Sequence, residues 1–446
     1  MKARNRSRLT GLSAFISLYI SLFVIAVLLA FVRQPFGDMF DWLALDFQAQ
    51  DSADAGFFLW TPHNGHHLVW TRLLTAIDVR LFHGQSWPFV VVASACLLAS
   101  FLLLMSAIKI GIAANPFAKS LALVIPLALL VSINSIDVAI HVNCQYAFVI
   151  FFAIAAICTC ERDPLTYRDQ IAVILLLVGA LFGSSIGLAL VPVILISVWR
   201  RQGGRQRLFA FSATVLIIAL FMTLSGGVMA ISSTSDGKLL YADMARRMLY
   251  FLNFCGLPWS ASSPRHLPFS GMVSLMSQAV GPLVGALMVG LSLNALRQRT
   301  VQSGDSAKLE RVAHSLILFV LTVAAMAAIG RANVLEELAI PVRYALLVAP
   351  LHIGLLICFA LRTNMFNAGH RINNKYLLVL GALLIVQQLA GIAIIFKYSR
   401  NLDSSLAAFA AGDRSPDVMK FVYPDLGRAN FLNAIEMEIK KRGLYQ

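Results

Sequence analysis

Long apolar runs, broken by short polar segments, dominate the chain from end to end. A helix that crosses the hydrocarbon core of a bilayer needs about 20 apolar residues. On that measure, spans are predicted near 12–32, 88–108, 119–135, 145–160, 208–229, 270–296, 312–330, 343–361 and 376–397. The interval from Gln170 to Trp199 is long for one helix and short for two, with Gly183-Ser184-Ser185 at its middle. Charge decides between them. A single crossing would put Arg200, Arg201, Arg205 and Arg207 opposite the basic N-terminus, against the positive-inside rule. Two short helices, near 170–183 and 187–199, remove the conflict.

The pattern predicts an all-α integral membrane protein of about eleven transmembrane helices, N-terminus cytoplasmic and C-terminus outside. Residues 1–397 would form the polytopic domain and 398–446 a short C-terminal segment on the outer face. Lys109 to Lys119, Arg200 to Arg207, Arg297 to Arg311 and Arg362 to Lys375 then lie inside, all rich in Lys and Arg, while 134–144 and 184–186 carry none. Three outer segments are too long to be plain connectors: 33–87, 230–269 and the tail. In the first, Leu68, Leu73, Leu74, Ile77, Leu81 and Phe82 alternate with Arg72, Asp78 and Arg80, the spacing of an amphipathic helix lying in the interface plane. The second carries a similar stretch, Leu239 to Phe254, before the turn-rich Gly256 to Pro268. The tail reads as two short helices around Tyr423-Pro424-Asp425, and no internal repeat of the inverted-transporter kind is visible.

Composition agrees with the pattern: 59% hydrophobic and 13% charged residues exclude an ordinary soluble domain. The basic Met1 to Arg8 precedes an apolar run too long for a cleavable signal, so it reads as a retained first span. The net charge of +14 sits in short inter-span segments with no interleaved aromatic stripe, which argues against a nucleic-acid partner. The six Cys have no C-x-x-C spacing, so neither a zinc site nor a redox pair is signalled, although Cys144 and Cys255 could share an oxidising compartment. His314, His352, Gln387 and Gln388 are the few polar residues within spans, and mid-membrane charges of the kind ion-coupled transporters use are essentially missing.

The candidate chemistry lies in the outer segments. Phe36-Gly37-Asp38-Met39-Phe40-Asp41-Trp42 is followed by Asp46, Asp51 and Asp54. A carboxylate at the lipid-water boundary, flanked by aromatics, has its pKa raised by partial desolvation and suits a general base, whereas Asp38 and Asp41 also suit helix capping or simple solvation. In Trp60-Thr61-Pro62-His63-Asn64-Gly65-His66-His67 and the following Arg72, three His within five residues could ligate a divalent metal. At most one of His66 and His67 joins His63 at a helical i, i+3 spacing, and hydrogen bonding to sugar or phosphate is the competing role. Arg331, Arg343 and Tyr344 flank the loop of Glu336 and Glu337. Guanidinium groups there would steady a lipid-phosphate leaving group, or else snorkel and pair with those Glu residues. Arg246 and Arg247 carry the same two readings.

The chain resembles the GT-C superfamily of polytopic glycosyltransferases, which use polyprenyl-phosphate-linked sugars. The resemblance rests on the layout of the whole chain and on three local features: His63-Asn64-Gly65-His66-His67 with Arg72 and Asp78, Gly330-Arg331-Ala332 with Arg343-Tyr344, and Gln145. Gly65 and His67 replace a Glu and an Arg of the related pattern. The resemblance implies an acidic residue of the first outer loop as catalytic base, a role falling on Asp41 first and Asp38 second. It also implies sugar or acceptor contacts from His63, Asn64, His66 and Arg72, and a phosphate met by Arg331 and Arg343. The expected activity is inverting transfer from the polyprenyl-phosphate donor to a glycan, lipid or surface protein such as a pilin, on the periplasmic face of a bacterial inner membrane. A flippase of lipid-linked saccharides, or a polysaccharide polymerase, would share the spans and the arginines.

Overall fold

The computed structural model describes residues 2–52, 54–63, 66–111, 116–131, 143–201, 204–224, 239–257, 261–262, 270–298, 304–331, 340–341, 344–366, 374–423 and 429–444. α1 (Lys2–Ala30) leads into three short helices, α2 (Met39–Ser52), α3 (Ala55–Trp60) and α4 (Val69–Leu81). There follow α5 (Trp87–Gly111), α6 (Pro116–Leu130), α7 (Cys144–Cys160), α8 (Tyr167–Gly183), a 3-10 turn at Ser185–Ala189, α9 (Leu190–Arg201) and α10 (Gly204–Leu224). The chain continues through α11 (Leu239–Cys255), α12 (Ser270–Arg297), α13 (Asp305–Arg331), α14 (Ala345–Phe366) and α15 (Asn374–Ala410) to α16 (Pro416–Val422) and α17 (Ala429–Lys441). Apart from a two-residue parallel pairing of β1 (Ala261–Ser262) with β2 (Ile340–Pro341), the regular structure among the described residues is helical.

Five helical stretches among the described residues are long and apolar enough to cross a membrane: Trp87–Gly111, Val280–Arg297, Asp305–Gly330, Ala345–Arg362 and Val379–Ala410. Ser13–Leu29, Cys144–Cys160, Ser185–Arg200 and Arg207–Phe221 are shorter and also apolar. Leu283, Leu287 and Leu291 on α12, and Val379, Leu383 and Val386 on α15, are exposed at helical spacing. Apolar ridges left open on a bundle surface suit hydrocarbon rather than water. The interior is formed where α13 packs along α14, and α7 along α5 and α8.

The interval 170–199 is two helices, as its charge pattern requires. Thr166 and Asp169 form a capping box that starts α8. Its end is set by Gly187, where a Cβ would lie 2.5 Å from the Ala180 carbonyl carbon. Only glycine lets the 3-10 turn fold back so closely, and Ser184 takes an extended conformation at the junction.

Contacts sort the segments between helices into two ends of the bundle. At one end the first loop meets the break after α8 through Trp70 Nε1, which donates to Gly179 O at 2.8 Å. It meets the start of α7 through Thr71 Oγ1 and Cys144 Sγ, 3.6 Å apart. Phe36, Phe40 and Phe47 share a second apolar core with Leu402, Phe409, Val422 and Leu432, so the C-terminal segment lies on the first loop. α15 runs through residues 397 and 398 without a break, and the C-terminal segment begins within that helix. At the other end, about 25 Å away by the length of α7, Ser306 Oγ donates to Gly111 O at 2.8 Å and Arg311 pairs with Glu161 at 3.1 Å.

Candidate active site

Gly37 has φ +55°, a left-handed turn that carries the chain from Phe36 into α2 and places its N–H 2.7 Å from Val422 O. Asp38 therefore stands at the head of α2, and its Oδ2 lies 3.2 Å from His63 Nε2. Trp42, one turn on, is fully buried with its ring edge-on to His63 at 5.9 Å. Asp41 points elsewhere: Tyr423 Oη, from the C-terminal segment, donates to its Oδ2 at 3.0 Å.

His63 and His66 exchange two backbone hydrogen bonds of 2.9 Å each, so they face one another across a tight turn. The predicted helical i, i+3 relation is thereby corrected, because α3 stops at Trp60 and α4 starts only at Val69. Asn64 lies outside the described residues. His66 and His67 do point apart. His66 Nδ1 contacts Ser185 Oγ at short range and Ser184 Oγ at 3.4 Å, whereas His67 Nδ1 donates to Trp60 O at 2.7 Å with its ring stacked on Trp60. Among the described residues no three His, Cys, Asp or Glu side chains come together as a metal-ligand set.

α4 is amphipathic, but not in the sense its sequence suggests. Arg72 and Asp78 are fully buried, while Leu73, Leu81 and Phe82 are exposed. Thr71, Thr75, Leu74 and Val79 share the buried face with Arg72 and Asp78, while Arg80 is exposed beside the open apolar residues. Arg72 Nη1 donates to Phe58 O, and burial lowers its pKa to about 10, so it stays charged near neutral pH. Burial pushes the Asp78 carboxyl up to about 6, against one hydrogen bond from Ser86 N at 2.8 Å. Asp46, also buried, is raised by desolvation and opposed by Arg80 and Gln50. Desolvation lowers His67, and the Arg72 charge adds to that.

Gln145 is buried in the first turn of α7, and its chain neighbour Cys144 contacts Thr71. Tyr344 precedes α14, with Tyr146 edge-on at 5.6 Å and Phe254 at 5.9 Å. Arg331 is the last residue of α13, and Arg343 lies outside the described residues. Cys144 and Cys255 are both free thiols. Asp38, His63, His66, Arg72, Gln145 and Tyr344 thus belong to elements that meet at one end of the bundle, while Asp41 is held by the C-terminal segment. Sequence reading missed Tyr423 and the Ser184-Ser185 pair as site components, and weighed His67 only as a metal ligand. The one signal for the serines was their place at the middle of an interval too long for one helix.

No protein family, curated protein or solved structure matches the chain. The functional reading therefore rests on the site itself.

Proposed function

We propose that the chain is an inverting glycosyltransferase of the outer membrane face, moving a sugar from a polyprenyl-phosphate donor to a hydroxyl acceptor. The observation that carries the reading is the Asp38–His63 contact of 3.2 Å, on a loop packed against the break between α8 and α9. A carboxylate held by an imidazole, partly open at 39% side-chain exposure, is a positioned proton acceptor. The acceptor oxygen attacks the anomeric carbon from the face opposite the phosphate. Asp38 takes the hydroxyl proton, the bond from that carbon to the phosphate oxygen breaks, and polyprenyl phosphate departs. Arg331 and Arg343 would meet its negative charge. Sequence alone ranks Asp41 ahead of Asp38; the present reading takes Asp38 first because its carboxylate faces His63, while Asp41 accepts from Tyr423 Oη.

The eleven-crossing topology, with a cytoplasmic N-terminus and periplasmic first loop, belongs to the same proposal. Two observations support it. The first loop packs on the segment after α15, in keeping with an odd number of crossings when α1 is one of them. The break after α8 also lies at the first-loop end, so α8 and α9 form a pair that goes and returns.

Asp38→Asn should lower transfer about a thousandfold, as loss of a general base does, in proteoliposomes supplied with a polyprenyl-phosphate sugar and candidate acceptors. Asp41→Asn should cost about tenfold or less, the loss of positioning rather than of the base. Full activity in both variants removes the enzyme reading's catalytic centre. A wild-type protein that moves the lipid-linked sugar across the bilayer with no covalent product is a flippase.

A further inference from the structure

Arg72 is a fully buried guanidinium that is only partly engaged. Its Nη1 donates to Phe58 O, and the Phe58 ring centroid lies 5.8 Å from the guanidinium carbon. The opposite edge, Nε and Nη2, meets no acceptor among the described residues. Those two atoms form the side-on fork, the geometry that gives a carboxylate or phosphate two parallel N–H hydrogen bonds. No carboxylate among the described residues closes on it. Asp46 is turned to Gln50 and Arg80, and Asp78 takes the Ser86 N–H. Neither Asp46 nor Asp78 makes a hydrogen bond to Arg72 among the described residues. A buried charge with no counter-charge is costly, so the fold holds Arg72 for an anion that comes from outside the chain.

His67 supplies the second half of the argument. It lies near enough to Arg72 for the two to interact electrostatically, and it is 3% exposed. Its Nδ1 contact with Trp60 O fixes the ring proton there, because a carbonyl oxygen can only accept. Nε2 is then a bare acceptor, buried and without a partner among the described residues. Such an atom calls for a donor, which a simple carboxylate or a fully ionised phosphate lacks. Trp60, stacked on His67 at 4.8 Å and edge-on to Phe182 at 5.9 Å, adds a flat apolar wall. A fork for an oxyanion, an acceptor for a hydroxyl and an aromatic face for C–H groups match one chemical class.

We infer that Arg72 and His67 form a subsite for a hydroxylated carboxylate of the uronic-acid type, its carboxylate on the Arg72 fork and a neighbouring hydroxyl donating to His67 Nε2. The subsite rests on the glycosyltransferase reading only in taking the ligand to be a sugar. α3, a six-residue helix, supplies both the Phe58 carbonyl and the Phe58 ring that meet Arg72.

Titration calorimetry of the full chain in nanodiscs, with glucuronate, glucose and inorganic phosphate as probes, tests the assignment. Saturable glucuronate binding at least tenfold tighter than glucose is expected. Arg72→Lys, which keeps the charge and loses the fork, should weaken it tenfold or more. His67→Phe, which keeps the stacking and loses the acceptor, should weaken it severalfold. Binding of glucuronate no tighter than glucose by the wild-type protein overturns the subsite, whatever the variants do. Preference for phosphate over glucuronate overturns the carboxylate assignment. A transfer assay on the same preparation, with a neutral-sugar donor, separates the two failures: product without glucuronate binding sinks the subsite alone, and binding without product from any donor sinks the enzyme alone.

Discussion

Glu161 and Arg72 are both buried charges beside α7, one just past its last residue and one near its first, yet the fold treats them differently. Glu161 Oε1 accepts from Ser197 at 2.8 Å and Ser315 at 3.2 Å, and Oε2 accepts from Arg311 at 3.1 Å. Arg311 reaches on to Asp163, so α7, α9 and α13 are tied by one network in which every charge is answered. Arg72, by contrast, has one side-chain hydrogen bond, and both its own Nε and Nη2 and the Nε2 of nearby His67 are buried without a hydrogen-bond partner among the described residues. A completed buried network fixes how helices sit, whereas an incomplete one is a cost that a fold tolerates where something else is to bind. The comparison thus separates a clasp from a site by hydrogen bonding alone.

The sharpest way to break that contrast is Glu161→Ala. Removing one partner of a buried ion pair costs about 3 to 5 kcal/mol, and here the low end is expected because Arg311 keeps Asp163. Thermal unfolding in detergent should show the loss, with transfer per folded molecule unchanged. An unaltered midpoint would remove the clasp from the argument. Next in size is Gly187→Ala, whose Cβ would press on the Ala180 backbone at 2.5 Å. Overpacking of this kind costs about 1 to 3 kcal/mol, and here it should also move Ser185 off His66, so that stability and transfer fall together. Gly290→Ala, with nothing within 4 Å of its Cβ, is the matching control and should leave both intact.

The smallest effect is a pH dependence. The Asp78 carboxyl is raised to about 6 in the folded protein, against about 4 for an unfolded chain. A raised carboxyl pKa means that the neutral form is favoured by folding, so its stabilisation is complete below about pH 4 and lost as pH rises through about 6. Asp78→Asn keeps the acceptor for Ser86 and removes the titration. The variant should match wild type at pH 4 and exceed it at pH 7.5, by unfolding midpoints at each pH. A constant difference between the two proteins across that range would exclude Asp78 as the group concerned.

Much of the scaffold was legible in the chain. The two helices within 170–199 followed from where the arginines fall, because hydrophobic length and loop charge are properties of a few neighbouring residues. The helices flanking Tyr423 and the helix through Leu73 to Leu81 were marked by turn residues and spacing. The sense of that last helix was not marked. An apolar stripe is drawn to a protein core in water, but beside lipid it has two apolar surroundings to choose from, and only packing shows that Arg72 and Asp78 turn inward. Nor could spacing distinguish Asp38 from Asp41, three residues apart at the start of one helix.

The sequence by itself determined an all-helical chain with apolar runs long enough for a bilayer and an acidic, His-rich first loop after the first of them. Those features depend on local composition and period, which survive without knowing any contact. The tertiary structure alone decided which acid faces His63 and which faces Tyr423, and that His66 meets a serine 119 residues away. It likewise left the Arg72 fork buried without a partner among the described residues. Each of these depends on where sequence-distant helices end up against one another, and no period in the chain records that.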